Sequence, residues 1–215
     1  MSVLVKDQIL ERIKGGGLAF KPGLDNLQVQ GHSVDLRLGF TFMIPKVWLP
    51  SDGGREAVTL DPLHSIGASH FDIVELEQGQ HFDLLPNEYI LVSSLETITI
   101  PKDLMAVLYP RSSVNRRGLS VDLTGIIDAG YSGKLILPVR NNTRSQTVRL
   151  YPGERFCQLV FQQLMGEIET KQSRHHMKDV AEGLAQEDAQ EVDLITKGDI
   201  NKLKEAYPLE GDIAQ

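Results

Sequence analysis

A short basic stretch, YPRSSVNRRGLSV at residues 109–121, contains three arginines, three serines and no acidic residue. Guanidinium groups bind phosphate oxygens through paired hydrogen bonds, and serine hydroxyls can add further donors. From Arg111 to Arg155 the sequence has eight basic and three acidic residues, although the whole chain carries a net charge of −7. This reversal predicts a site for a compact polyanion. On charge alone, salt bridges between subunits or a solvated face explain it equally well.

The Arg-Ser-Ser triplet is the most specific part of that stretch. Arg111, Ser112 and Ser113 follow Pro110 and the apolar run LMAVLY, so we expect them at the end of a strand. Hydroxyls and backbone N–H groups beside a cation at such a position can hold phosphate oxygens. A polar turn has the same composition, so the triplet by itself is a weak signal.

A second candidate lies in GIIDAGYSG, residues 125–133. Asp128 follows an apolar pair, and glycines allow tight turns on either side of Tyr131. Near a phosphate site, a carboxylate can act as general base for an attacking water or hold a metal ion through water. Tyr131 could stack on a ring or sugar. The alternatives are an aspartate that only forms a turn and a tyrosine that only packs in the core.

The elements that must position these residues are mostly strands. Residues 5–14, VKDQILERIK, have helical spacing of apolar side chains and end at Gly15 to Gly17. From Leu18 to about Leu164, short apolar or alternating runs are separated by turn residues, which predicts an all-β sandwich or barrel. We assign residues 1–168 to this domain and residues 169–215 to a polar, acidic, partly helical tail.

Composition excludes several classes of function. A net charge of −7 argues against non-specific binding to nucleic acid or to membranes. No apolar run is long enough to span a membrane, and the N-terminal residues are too charged for a signal peptide. The single cysteine, Cys157, cannot form an internal disulfide, which favours a reducing cytoplasm.

Four segments in order resemble the trimeric dUTPase and dCTP deaminase superfamily. They are ILERIKGGGLAFKP with GHSVDLRLG, LLPNEYILVSSLETITIPKDLMAVLYPRSS, GIIDAGYSGKL, and YPGERFCQLVF. The resemblance extends from about Leu4 to Leu164. It implies a distorted β jelly roll, a homotrimer with active sites between subunits, and a deoxynucleoside triphosphate bound with Mg²⁺.

The resemblance also implies roles for individual residues. It implies phosphate contacts from four of them: Arg111, Ser112, Ser113 and Gln158. Asp35 would help to order the water shell of the metal ion. The backbone of the hairpin from Leu119 to Ile127 would bind the pyrimidine edge, and Tyr131 would lie under the deoxyribose.

The two activities of the superfamily need different chemistry. Deamination of dCTP in this family uses a glutamate to shuttle protons, and the single cysteine excludes the paired-cysteine pattern of zinc deaminases. The resemblance places that glutamate at position 138, where this sequence has proline. Pro138 has no acid-base group and removes a ladder donor, which predicts an edge or bulged strand. Unless Asp122 or Glu154 reaches the site, deamination should be lost.

Asp128 matches the general base of dUTPases, and Gly125 also fits their pattern. We therefore predict a dUTP diphosphatase that forms dUMP and diphosphate, with water activated by Asp128 attacking the α-phosphorus and Mg²⁺ neutralising phosphate charge. Arg116, by its spacing, is typical of deaminases instead, and the acidic tail lacks the glycine-rich arm of dUTPases. The alternatives are a zinc-independent, possibly bifunctional dCTP deaminase and a non-catalytic deoxynucleotide-binding sensor.

Overall fold

A computed structural model describes residues 2–61, 63, 67–122, 125–168 and 188–208. The strands in these ranges are β1 (Ser2–Val3), β2 (Ala19–Lys21), β3 (Val34–Pro45), β4 (Trp48–Ser51), β5 (Gly54–Ala57), β6 (Phe71–Glu75), β7 (Phe82–Leu84), β8 (Tyr89–Thr99), β9 (Leu104–Pro110), β10 (Leu119–Val121), β11 (Ile126–Ile127), β12 (Ser132–Asn141), β13 (Val148–Leu150) and β14 (Arg155–Gln163). The helices are α1 (Lys6–Lys14), α2 (Ser112–Asn115), α3 (Ala189–Thr196) and α4 (Ile200–Ala206), and a 3₁₀ turn spans Ala68–His70.

Ten of the described strands form one antiparallel sheet that curls around one large hydrophobic core, and a smaller cluster of Met43, Phe71 and Leu91 lies apart from it. The order is β10-β12-β8-β3-β14-β9-β11, with β1 beside β14, β2 beside β8 and β6 beside β3. Alternate side chains of the long strands point into this core, as in the pattern of β12, where Leu135, Leu137 and Val139 are buried. The predicted fold class, an all-β distorted jelly roll with a short N-terminal helix and a partly helical tail, is confirmed.

Strand β3 joins the two halves of the sheet. Residues 34–37 pair with β14, and from position 38 onward the strand pairs with β8 and β6 after a shift in register. Gly39 lies in this shift. A Cβ atom there would come within 2.8 Å of the carbonyl oxygen of Ser93 and 2.9 Å of that of Ser94. The close approach of β3 to β8 therefore requires glycine at this position.

Helix α1 begins one residue later than predicted and ends at Gly15 as expected. Ile9 is fully buried, and β1 in front of the helix pairs with β14. Arg12 lies 2.8 Å from the carboxylate of Asp103 and donates a 2.7 Å hydrogen bond to Gln163. These contacts fix the N-terminal segment to the end of β14.

The tail contains the two helices α3 and α4, which contact each other. The side chain of Asp188 accepts hydrogen bonds from the backbone of Gln190 and Glu191 at the start of α3. Residues 169–187, which are part of the predicted acidic tail, lie outside the described residues, and the domain boundary at 168/169 stays a prediction. No helix in the described part is long and apolar enough to cross a membrane.

Candidate functional site

A cleft of about 310 Å³ opens at the end of β9, where the chain passes into α2. The residues that line it are Gln30, Asp35, Pro110, Arg111, Ser112, Asn115 and Gln158. The structure thus brings together four of the predicted site residues: Asp35, Arg111, Ser112 and Gln158. Sequence reasoning missed Gln30 and Asn115, because a single amide in a loop or a short helix forms no recognisable pattern.

Strand register places Asp35 and Gln158 side by side. Gln158 lies opposite Asp35 of β3 on one side and opposite Tyr109 of β9 on the other. Residues directly opposite on antiparallel strands share a face of the sheet. The neighbouring Leu36 and Cys157 are buried in the core, so Asp35 and Gln158 lie on the outer face, at the base of the cleft.

A loop over residues 25–30 covers Asp35 from the outside. The backbone N–H of Asp35 donates a 2.8 Å hydrogen bond to the carbonyl of Gln28, and Arg155 donates to the carbonyl of Leu27 at 2.6 Å. As a result the carboxyl-bearing residue is only 2% exposed although it is on the outer face.

Two guanidinium groups face the Asp35 carboxylate. Arg111 Nε lies 3.1 Å and Arg155 Nη1 3.2 Å from the same oxygen, Oδ2. Burial raises the pKa of Asp35 above its usual value, while both arginines oppose this shift because they stabilise the ionised form. Arg111 also donates through Nη1 to the carbonyl of Arg155 at 3.1 Å. Asp35 therefore holds the Arg111 side chain in place at the wall of the cleft.

The one-turn helix α2 positions the serines. The backbone N–H of Arg111 donates to the carbonyl of Phe156 at 3.1 Å, which attaches the start of α2 to β14. Ser112 then lines the cleft, whereas Ser113 and Arg116 are exposed and do not line it within one chain. Gly118, at φ +83°, ends this turn and directs the chain into β10.

A buried polar network supports the loop that covers the cleft. Gln28 Nε2 donates to Glu96 Oε1 at 2.7 Å and to the backbone carbonyl of Asp35 at 2.9 Å. The backbone N–H of Arg37 donates to Glu96 Oε2 at 3.1 Å. Burial is the main cause that raises the pKa of Glu96. In the sequence of β8, Glu96 is an acid among apolar and small residues. This was the signal in the sequence that could have indicated the network.

The second group of predicted residues lies elsewhere in the chain. Ile127 of β11 pairs with Ala106 of β9, and the exposed Asp128 follows it. Arg111 lies five residues beyond Ala106, at the opposite end of β9, which corresponds to about 17 Å of strand. Within a single chain, Asp128 therefore does not reach the cleft.

Tyr131 packs in the core cluster and is 8% exposed. Its hydroxyl donates a 2.7 Å hydrogen bond to the carbonyl of Lys134, and burial raises the pKa of Tyr131 to about 12. In the turn beside it, the Tyr131 N–H donates to the carbonyl of Asp128, and Gly125 accepts from the N–H of Leu108. Positions 123 and 124 of the predicted base-binding hairpin lie outside the described residues.

The expectation of an edge or bulged strand at Pro138 is wrong. Strand β12 lies between β10 and β8, and its register shift falls between Lys134 and Ile136. Pro138 accepts a 3.0 Å hydrogen bond from the N–H of Asp122, just after β10 ends. In an antiparallel sheet, the N–H and C=O of one residue point to the same neighbouring strand. The N–H that Pro138 lacks would therefore point toward the β10 side, at the last residue pair of the ladder between β10 and β12. The proline therefore costs the sheet one terminal hydrogen bond at most.

No three His, Cys, Asp or Glu side chains in the described ranges are arranged to hold a metal ion together. Asp35 is the one carboxylate among the residues lining the cleft, and both guanidinium contacts involve its Oδ2. Mg²⁺ usually keeps several waters and binds substrate phosphates together with one or two carboxylates. The donor set fits a Mg²⁺ ion held mainly by phosphate and water, with Asp35 beyond its first ligands.

A curled antiparallel jelly roll with this cleft defines a β protein of the dUTPase and dCTP deaminase superfamily. The sequence matches the dCTP deaminase-like family over residues 3–164, and the chain belongs to that family.

Curated relatives carry deaminase names. The chain is 37% identical over 170 residues to the dUMP-forming dCTP deaminase of Dictyoglomus thermophilum, covering 78% of this chain and 84% of the relative. It is 40% identical over 144 residues to that of Dictyoglomus turgidum, covering 66% and 70%. Among solved structures, 2′-deoxycytidine 5′-triphosphate deaminase from Agrobacterium tumefaciens aligns with a TM-score of 0.55 and 25% identity, over 74% of this chain and 48% of the other.

These relatives overturn the predicted dUTP diphosphatase. That prediction depended on a few positions, the dUTPase-like Asp128 and Gly125 and the absence of a glutamate at Pro138, whereas the similarity to proteins named dCTP deaminase extends over most of the β domain. The loss of an acid at one strand position does not decide the chemistry, because residues on an adjacent strand face the same surface.

Proposed function

We propose that this protein is a dCTP deaminase that releases ammonia and forms dUMP. The observation that carries the proposal is the cleft in which Asp35 holds Arg111 beside Ser112 and Gln158. A guanidinium, a hydroxyl and an amide together supply the donors that a triphosphate needs. The names of the relatives supply the reaction, since the two Dictyoglomus proteins are dUMP-forming dCTP deaminases.

The same proposal gives the second group of residues their role. Gly125 and the neighbouring hairpin backbone would bind the pyrimidine, and one face of Tyr131 would border the deoxyribose. Asp128 would activate the water that attacks the α-phosphorus, which releases diphosphate and leaves dUMP. A carboxylate is ionised at neutral pH and can accept that proton without unusual surroundings.

Arg111 and Asp128 lie at opposite ends of β9, and this separation supports a site that is shared between copies of the chain. Neither residue can approach the other within one chain, so a second copy has to supply the missing half. The outer face of β9 and β11 offers a surface for that copy, since Ile126 is 67% and Tyr109 43% exposed. We propose a homotrimer, a cyclic arrangement in which every copy makes the same two contacts and every site combines two halves.

Mg²⁺ would accompany the triphosphate, held by phosphate oxygens and water. When bound, it would neutralise charge on the phosphates and favour attack at phosphorus. Asp35 would order the surrounding water, and Arg111 would compensate the phosphate charge that the ion does not neutralise. The cytoplasmic setting predicted from Cys157 stays a prediction.

Product analysis tests the activity. Purified protein incubated with dCTP and Mg²⁺ should release ammonia and diphosphate in equal amounts and form dUMP, separated by anion-exchange chromatography. Asp128→Asn should still release ammonia but accumulate dUTP. If the wild type released ammonia but its end product were dUTP, the deaminase activity would be retained and the formation of dUMP would be contradicted. Tight binding of dCTP without ammonia would instead favour a non-catalytic nucleotide-binding protein.

Mixing two inactive variants tests the shared site. Arg111→Ala lacks one half of the site and Asp128→Asn the other, so neither should form diphosphate from dCTP alone. After subunit exchange in an equal mixture, about a quarter of the sites would combine two intact halves and recover activity. No recovery, despite exchange shown by mass spectrometry, would contradict a site between subunits. Ile126→Asp should give monomers by light scattering and abolish turnover.

A further inference from the structure

Deamination requires a group that moves protons between water and the pyrimidine, and two described carboxylates lie in or directly after the hairpin that is proposed to bind the base. Asp128 lies at the turn before β12, and Asp122 lies where the hairpin leaves β10. Glu154, the other acid considered from the sequence, is already engaged, since Oε2 lies 3.3 Å from Arg117 and Oε1 accepts from the N–H of Tyr151 at 3.1 Å.

Asp122 lies directly across from Pro138. Val121 pairs with Val139, and the next pair is joined by the 3.0 Å hydrogen bond from Asp122 N to Pro138 O. Both valines are buried, so the side chains of Asp122 and Pro138 point to the outer face of the sheet. Cβ atoms of such opposed residues are about 5 Å apart. A carboxylate at position 122 can therefore reach the surface that an acid at position 138 would occupy.

The Asp122 side chain is also available. It is exposed, and no lysine, arginine or histidine among the described residues forms an ion pair with it. Two other charged or titratable side chains lie on the same outer face: Arg140, two residues along β12 from Pro138, stacks over the ring of its β8 partner Tyr89 at 5.6 Å. Burial is the main cause that raises the pKa of Tyr89, and the negative charge of Asp122 raises it further. The carboxylate therefore lies close to that phenol.

We propose that Asp122 is the catalytic acid-base residue of deamination, taking the place of an acid at position 138. The inference rests on the proposed dCTP deaminase function. As water adds to C4 of the cytosine, Asp122 accepts one of its protons and passes it to N3. Asp122 then accepts the proton of the new C4 hydroxyl and passes it to the amino nitrogen. The C4–N bond breaks, ammonia leaves, C4 keeps the oxygen as a carbonyl, and the carboxylate is regenerated.

Variants at positions 122 and 138 test the role of Asp122. Asp122→Asn should lower kcat for ammonia release from dCTP by about 10²–10⁴-fold, the usual contribution of a general acid-base group. The KM for dCTP and the melting temperature should change little, because the side chain forms no ion pair with a described residue. Asp52→Asn, an exposed aspartate in the turn between β4 and β5, serves as the matched control and should keep full activity.

The double variant Asp122→Asn/Pro138→Glu separates a proton carrier from a residue that only holds the hairpin. A glutamate across the ladder should raise kcat at least about tenfold above that of Asp122→Asn. If position 122 had a purely structural role, the glutamate would give no such gain. A folded double variant without any gain would overturn the proposal, as would an Asp122→Asn protein with kcat within about threefold of wild type. No ammonia from the wild type would instead overturn the deaminase function itself, and the role of Asp122 with it.

Discussion

Replacing Asp35 with asparagine removes one negative charge from the cleft and changes the side-chain volume very little. In the wild type, Arg111 and Arg155 both contact Oδ2 of this buried carboxylate, at 3.1 and 3.2 Å. The amide can still accept one hydrogen bond, but it leaves two guanidinium groups near each other without a counter-charge. We therefore expect the variant to fold and to be less stable.

The size of the loss follows from the geometry. At an effective dielectric constant of about 20, one charge pair at about 4 Å is worth about 4 kcal/mol. The raised pKa of Asp35 indicates that burial offsets this attraction for the carboxylate itself, so the loss in the variant comes from the two arginines that are left without a counter-charge. Removing one partner of a buried ion pair usually costs about 3–5 kcal/mol. Both arginine side chains keep 27% exposure, which lets water compensate them, so we expect the lower end, about 3 kcal/mol. In a domain of this size, that lowers the melting temperature by about 6–12 °C.

Thermal and urea denaturation in a phosphate-free buffer, followed by circular dichroism, measure this loss. The matched control is Asp83→Asn, which breaks the exposed pair of Asp83 with Arg149, 2.7 Å apart, and should leave the melting temperature nearly unchanged. Added diphosphate should stabilise the Asp35→Asn protein more than the wild type, because it supplies the missing negative charge. Equal, small effects of both substitutions would refute the assignment of Asp35 as the buried counter-charge of the cleft.

Three further outcomes follow from the same structure. Arg111→Lys keeps the charge but loses the two-pronged donor geometry, and should weaken dCTP binding by about 10–100-fold in calorimetric titrations. Gly39→Ala should lower the free energy of unfolding by about 3 kcal/mol in urea denaturation, since the new methyl group meets backbone oxygens of β8, whereas Gly31→Ala, with nothing within 4 Å, should be nearly neutral. Burial raises the pKa of Glu96 above 4.5, so its ionisation opposes folding. Relative to Glu96→Gln, the stability of the wild type should therefore fall as pH rises from about 4.5 through the raised pKa, by at most about 1.4 kcal/mol per pH unit; a constant difference between pH 4 and 7 would contradict this.

The choice between deamination and hydrolysis shows where sequence reasoning failed. Pro138 is a correct observation about one strand position, but the inference from it assumed that neither Asp122 nor Glu154 reaches the site. That assumption cannot be checked along the chain, because Asp122 and Pro138 are sixteen positions apart and meet only through the pairing of β10 with β12.

The amino-acid sequence by itself determined the local features: the helix that ends at Gly15, the alternating strands, and the Arg-Ser-Ser turn after Pro110. Each depends on contiguous residues, whose periodicity and turn chemistry act over a few positions. Only the tertiary structure decided that Gln158 lies beside Asp35, that loop 25–30 buries that carboxylate, and that Arg111 and Asp128 lie at opposite ends of β9. Those placements depend on strand register across long separations, and register is set by how the whole core packs rather than by neighbouring residues.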